Sequence, residues 1–281
     1  MIEQQSMVEQ QPMVEQQPMV EQQPMIEKQP MIELRDVSIG YGNHIVLEDV
    51  NLIFPRGQVS VLIGPNGSGK SSLLRTIPGL LKPLSGQIFV DRQRNSDYAG
   101  KDLARRVAYL PQSRRTPVIT GRRLVRHGRF PWLSFPRRLS ESDHQKVDEA
   151  MEMTESIELA DRELPHLSGG QQQKLYLAMA LAQDTKAILM DEPTTWLDIR
   201  HQLAVLELAR SLAAQGKAVV LVSHDLLQAF DVADQLILLN DRKVQYAGAP
   251  EHLPESGLIE EHFGVKMIQV LVDGYSRYVY R

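Results

Sequence analysis

Hydrophobic positions along the chain change period several times, and each change marks an element. From residue 31 onward, alternation or short apolar runs over 32–39, 45–54 and 59–63 predict strands. A glycine-rich loop follows the third run, then a helical pattern to about Ile77 and strands near 88–91 and 107–110. Residues 117–154 read as mostly helical, and 113–165 is drawn as an inserted helical subdomain. Beyond it come a helix over 170–183, a strand over 187–191, a helix over 199–214 and a strand over 218–223. This alternation predicts an α/β fold: a parallel sheet with flanking helices, preceded by an N-terminal antiparallel β subdomain. In a C-terminal extension over 250–281, apolar runs on either side of Asp273-Gly274 predict a hairpin, because Asp-Gly supplies the positive φ angles of a tight turn.

The first 30 residues follow a different rule. Met1, Met7, Met13, Met19, Met25 and Met31 recur in phase, and a period of six suits neither an α-helix nor a coiled coil. Pro12, Pro18, Pro24 and Pro30 break any helix, and a Gln/Glu-rich composition has too little apolar surface to bury. Residues 1–30 are therefore expected to form a disordered tail, with Met25 or Met31 as a candidate start of the working chain, and 31–281 to form one large domain. The 281 residues carry a net charge of -4, so overall charge points neither to nucleic acid nor to a membrane surface. The absence of cysteine excludes disulfides, thiol nucleophiles and Cys-ligated metal. No signal peptide and no run of about 18 apolar residues occurs, so any membrane role requires another subunit to do the spanning.

Candidate chemistry begins at 64–71. Gly64, Pro65, Asn66, Gly67, Ser68, Gly69, Lys70 and Ser71 fit G-x-x-x-x-G-K-[ST], placed between a strand and a helix as the mechanism of that motif requires. The glycines let backbone N–H groups curl toward phosphate oxygens, and the helix start adds the positive end of its dipole. Lys70 is positioned to neutralise the outer phosphates, and the Ser71 hydroxyl to ligate Mg²⁺, with Ser72 next in the helix. Such a loop defines a P-loop NTPase core and by itself serves a kinase or a GTPase equally well. The apolar strand 187–191 ends in Asp191 and Glu192 at the sheet edge where such folds bind ligands. Asp191 suits Mg²⁺, and Glu192 can polarise a water aimed at the γ phosphate, a role that hydrolysis needs.

A further motif, Leu167-Ser168-Gly169-Gly170-Gln171, opens the helix before that strand. With it, the chain resembles the nucleotide-binding subunits of ABC transporters from Met31 to about Pro250. The resemblance implies ATP and Mg²⁺ as ligands, and ATP hydrolysis as the activity. It further implies adenine stacking for Tyr41, a metal- and water-sensing role for Gln112 after Leu110-Pro111, and a γ-phosphate contact for His224 in Ser223-His224-Asp225. On its own residue type, Tyr41 serves equally as a strand-end aromatic packed on the core. Gln112 and His224 each follow an apolar strand, so both fall at the ligand edge. Ser168, Gly169, Gly170 and Gln171 form an anion site separate from the phosphate loop. In the family this site, together with Asp198 in Trp196-Leu197-Asp198, serves the ATP of a partner copy. The implied partners are thus a second copy in a head-to-tail homodimer, transmembrane permease subunits and, indirectly, a substrate-binding protein. The implied location is the cytoplasmic face of the plasma (inner) membrane, peripheral through the permease.

Finer identity rests on Gly128-Arg129-Phe130-Pro131-Trp132, on Ala182-Gln183-Asp184 and on the C-terminal hairpin. These resemble importer ATPases for iron–siderophore complexes, with haem and vitamin B12 importers as close relatives. Pro78 and Gln172-Gln173-Lys174 depart from the usual family pattern without removing a catalytic group. The insertion also carries Arg114, Arg115, Arg122, Arg123, Arg126, Arg129, Arg137 and Arg138, with few aromatics among them. They are read as a solvated face or one near lipid headgroups, and no nucleic-acid partner is expected. His252 and His262 lie near glutamates but lack metal-ligand spacing.

Overall fold

A strand that is apolar at every position has to be covered on both faces, and that requirement arranges this molecule. The structure is a computed structural model that describes residues 30–112, 116–136, 138–272 and 275–281. The repeat tail to residue 29, the Asp273-Gly274 turn, and Arg114, Arg115 and Arg137 lie outside the described residues. In chain order, the first half comprises β1 (Pro30–Tyr41), β2 (His44–Pro55), β3 (Val59–Ile63), α1 (Lys70–Thr76), β4 (Ser85–Val90), β5 (Gln93–Arg94), α2 (Gly100–Ala104) and β6 (Val107–Leu110). Then follow α3 (Gly121–Arg126), α4 (Glu141–Met153), α5 (Gly169–Ala182), β7 (Ala187–Asp191), α6 (Ile199–Ala214), β8 (Ala218–Val222) and α7 (Leu226–Val232). The chain ends with β9 (Gln235–Asn240), β10 (Lys243–Gly248), α8 (Leu258–Phe263), β11 (Met267–Val272) and β12 (Tyr275–Tyr280).

The central sheet has the order β10-β9-β3-β8-β7-β6, parallel except for β10 at one edge. Successive residues of its strands face opposite sides. Val61, Ile63, Ile188, Met190, Val219 and Leu221 enter the core under the helices. Leu62, Leu189, Val220, Val222 and Ile237 enter a second core, closed by α1 and by the antiparallel sheet β2-β1-β4-β5. The predicted class is therefore the observed one. The sequence reading passes over β9 and β10: Leu236–Leu239 is a short apolar run whose partner β3 lies far back in the chain, and periodicity carries no information about such a partner. No helix among the described residues is long and apolar enough to cross a membrane.

Helix α1 stops where Pro78 forbids its continuation, and the Asn95 side-chain amide donates to the carbonyls of Thr76 and Ile77 at 3.3 and 3.2 Å, capping its end. Residues 117–154 are less continuously helical than expected. A 3₁₀ stretch over His127–Trp132, with Pro131 inside it, follows α3, and α4 begins only at Glu141. Both helices pack on α5.

The reading of the insertion's arginines as a solvated or headgroup-facing set fails at Arg129. This residue is only 7% exposed; its Nε donates to Asp143 Oδ1 at 2.8 Å and its Nη1 to the Ala182 carbonyl at 2.8 Å. Beside it the Trp132 indole donates to the Gln183 carbonyl at 2.7 Å, and a Cβ at Gly128 would drive into the Met179 carbonyl oxygen. The segments 128–132 and 182–184 are thus two sides of one packed contact. Burial pushes the Asp143 carboxyl up, but hydrogen bonds from the Ser140 hydroxyl and backbone N–H, together with Arg129, outweigh it and hold the group below the usual carboxylate range.

Removing one partner of a buried pair strands the other charge. Arg129→Ala is expected to cost about 3 kcal/mol of unfolding free energy in urea titrations. Arg35→Ala, which breaks the exposed Arg35–Glu33 pair, is expected to move the urea midpoint far less than Arg129→Ala. Since the Asp143 pKa is depressed on folding, the Arg129 contribution is complete above the unfolded carboxylate pKa and fades as pH falls through the folded value.

Candidate active site

Strands β3, β8, β7 and β6 lie side by side and run the same way, so whatever follows each of them converges on one edge. The loop after β3 leaves the strand at Gly64, whose φ of 146° and whose approach to the Leu239 carbonyl exclude any side chain. It re-enters regular structure at Gly69, the left-handed N-cap of α1. Lys70 is buried, and its ammonium donates to the carbonyls of Gly64 and Pro65 at 2.8 Å each and reaches Ser68 Oγ at 3.4 Å. Burial lowers its pKa, while the nearby Glu192 and Asp191 charges act against that shift. Satisfied here by its own loop, the ammonium is a ready partner for an anion placed in the same cradle.

Asp191, at the end of β7, is almost fully buried. Ser71 Oγ donates to its Oδ1 at 3.0 Å, and the Tyr109 hydroxyl to its Oδ2 at 3.3 Å. Burial raises the pKa of the Asp191 carboxyl, with these two hydrogen bonds opposing the shift. Ser71 and Asp191 together offer hard oxygen donors at one point, a donor set that fits Mg²⁺. Glu192, with φ at +52°, breaks from the strand direction in a conformation that costs a non-glycine residue energy. Its Oε1 is hydrogen-bonded to His224 Nε2, and its Oε2 accepts from Thr195 Oγ1 at 3.2 Å. An ionised carboxylate only accepts, so Nε2 carries the proton in that contact.

Tyr41 is 46% exposed, which removes it from the core; its hydroxyl lies 3.2 Å from Ser72 Oγ and accepts from Arg75 Nη1 at 3.5 Å. The ring is thereby tied to α1 and beside the loop, with a face open to solvent. Gln112 is exposed just past the end of β6, on the same sheet edge. Lys70, Ser71, Asp191, Glu192 and His224 are thus brought together, with Tyr41 and Gln112 at the margin.

The signature residues are elsewhere. Ser168 caps α5 reciprocally with Gln171: Gln171 N–H donates to Ser168 Oγ at 3.3 Å and Ser168 N–H to Gln171 Oε1 at 3.1 Å. Gly169 and Gly170, whose first-turn N–H groups have no partner inside the helix, line an open depression of about 600 Å³ with Ser168, Trp196 and Asp198. No residue of 64–72 lines it. Asp198 caps α6, accepting from His201 N–H at 3.0 Å with His201 Nδ1 at 2.7 Å; these contacts, the backbone one first, hold its pKa below the usual range.

Sequence reasoning missed the residues that hold the named ones. Tyr109, Thr195, Arg75 and His201 carry no motif, and Gln173, noted only as a departure, is buried with its amide donating to the Pro193 carbonyl at 2.5 Å. No local signal could have found Tyr109: it lies opposite Leu189, two residues before Asp191, only through the pairing of two distant strands.

A phosphate-cradling loop after a central parallel strand, with paired acids ending a neighbouring strand, defines a P-loop nucleoside triphosphatase. The sequence pattern of the ABC transporter family matches residues 47–195, and the chain belongs to that family; it is an ATPase of the ABC type. It is 41% identical to the ferric enterobactin transport ATP-binding protein FepC of Escherichia coli over 232 residues, covering 82% of this chain and 86% of that one. A structure described as a metal-chelate type ABC transporter in an inward-facing conformation superposes with a TM-score of 0.77 at 26% identity, over 90% of this chain and 98% of that one. An ATP-binding cassette solved as a dimer in a post-hydrolysis state, with ADP and phosphate bound, gives a TM-score of 0.67 at 30% identity over 78% and 99% of the two chains.

Gly64→Ala forces a Cβ into the Leu239 carbonyl and against Ser68 Oγ at 2.8 Å. Thermal unfolding is expected to register a loss of about 2 kcal/mol or more from strain in the loop.

Proposed function

We propose that this chain is the ATP-hydrolysing subunit of an importer for a ferric chelate of the siderophore type, working as a head-to-tail dimer beneath a separate permease. The Glu192 carboxylate carries the hydrolytic half of this reading: it is held by His224 and Thr195 and lies close enough to Lys70 to influence its charge. Similarity to a ferric enterobactin transport ATP-binding protein over most of both chains supports the import half.

In this reading the N–H groups of 64–72 and the Lys70 ammonium receive the β and γ phosphates, and Tyr41 stacks on adenine. Ser71, Asp191 and Gln112 would hold Mg²⁺, which when bound would offset the phosphate charge. Glu192 orients a water and takes its proton as the water oxygen bonds to the γ phosphorus. The bond from that phosphorus to the bridging oxygen breaks, and the electron pair leaves with ADP. His224 rests on Glu192, and in this reading it contacts the γ phosphate when nucleotide is bound. Ser168, Gly169, Gly170, Gln171 and Asp198 complete the ATP site of the second copy. The separation of their depression from the phosphate loop supports that division, and so does the dimeric state of a similar cassette. ATP then closes the dimer and hydrolysis reopens it, moving the permease at the membrane's cytoplasmic face.

Glu192→Gln keeps the shape and removes the base. It is expected to bind ATP and form a stable dimer on size exclusion while hydrolysis falls by about 10²–10⁴. Hydrolysis at the wild-type rate would remove Glu192 from the mechanism. Reconstitution with a permease for a ferric siderophore tests transport, and failure to stimulate uptake of any iron chelate would count against import.

A further inference from the structure

Strands β6 and β7 pair in parallel with Tyr109 opposite Leu189, so Tyr109, Leu189 and Asp191 present their side chains on the same face of the sheet. Tyr109 packs there beside the core under the antiparallel sheet, and its hydroxyl reaches along the strand to Asp191 Oδ2 at 3.3 Å. The other carboxylate oxygen takes Ser71 Oγ at 3.0 Å. Two hydroxyl donors from two different elements, one per oxygen, fix both the rotation and the plane of a carboxylate that is otherwise buried. Neither Ser71 nor Tyr109 could do this alone: a single donor leaves the carboxylate free to turn about its last bond. A phenol is protonated at neutral pH, so the Tyr109 hydroxyl serves as a donor to the carboxylate. Tyr109 makes none of the contacts that hold the Lys70 ammonium to its loop.

We propose that Tyr109 is a positioning residue for the metal ion of this ATPase, orienting Asp191 so that it and Ser71 present oxygens to one divalent cation beside the nucleotide. The inference rests on the reading of Ser71 and Asp191 as metal-holding residues, and it separates binding of metal from binding of nucleotide.

The test uses the full chain and two titrations: Mn²⁺ in the presence of ATP, followed by the loss of free Mn²⁺ signal in electron paramagnetic resonance, and a fluorescent ATP analogue in EDTA. Tyr109→Phe keeps the ring and removes the hydroxyl. It is expected to weaken Mn²⁺ binding by about 10–100-fold, the usual effect of removing a group that orients a ligand, while metal-free nucleotide affinity stays at the wild-type level. Unchanged Mn²⁺ affinity overturns the proposal. So does an equal loss in both titrations, which would make Tyr109 a prop of the whole site. Ser71→Ala, measured in parallel, tests the underlying assignment: if it leaves Mn²⁺ affinity unchanged, the metal is held elsewhere and the proposal falls with that assignment rather than through Tyr109.

Discussion

Everything chemical in this protein depends on the parallel pairing of β3, β8, β7 and β6 in one register. Leu62 lies opposite Val222, Met190 opposite Leu221 and also opposite Leu110, so the strands finish at nearly the same level. The loop at Gly64, the acids Asp191 and Glu192, the segment at His224 and the segment at Gln112 all emerge from that shared edge. Because each strand alternates between two buried cores, a slip of one residue would exchange all inward positions at once. Hydrophobic burial on both faces thus fixes, to within one residue, which polar groups meet at that edge.

The edge concentrates charge where water is scarce. Lys70, Asp191 and Glu192 are all buried, and each is satisfied locally: the ammonium by loop carbonyls, Asp191 by two hydroxyls, Glu192 by an imidazole and a hydroxyl. With both acids ionised the cluster is net negative, a poor host for a polyanion. A divalent cation on the carboxylate side, with the ammonium on the loop side, would resolve that conflict for a bound nucleotide.

Side-chain amides join this edge to the signature helix. Gln173 on α5 donates to the carbonyl of Pro193, next to Glu192, and Gln202 on α6 donates to the carbonyls of Thr194 and Leu197 at 3.4 and 3.1 Å. The segment between Glu192 and Asp198 is therefore tethered from two helices. The segment that lines the open depression at Trp196 and Asp198 is therefore continuous with the one that carries Glu192.

The loop 64–71, the strand-end acids and the α/β class were legible because each is written locally: glycines where positive φ is needed, an apolar run ending in two acids, alternating periods along the chain. The resemblance of 128–132 and 182–184 to importer ATPases was legible too, but their mutual contact through Arg129 and Trp132 was not, and the solvated reading of Arg129 fell with it. Tertiary structure alone decided that β9 sits beside β3, that Tyr41 leaves the core, that His224 rests on Glu192, and that Tyr109 and Thr195 orient the two acids. Those outcomes depend on register between distant strands and on which groups burial leaves in need of a hydrogen bond. Local sequence sets the period of a strand but not its neighbour, and only the neighbour determines which hydroxyl a buried carboxylate finds.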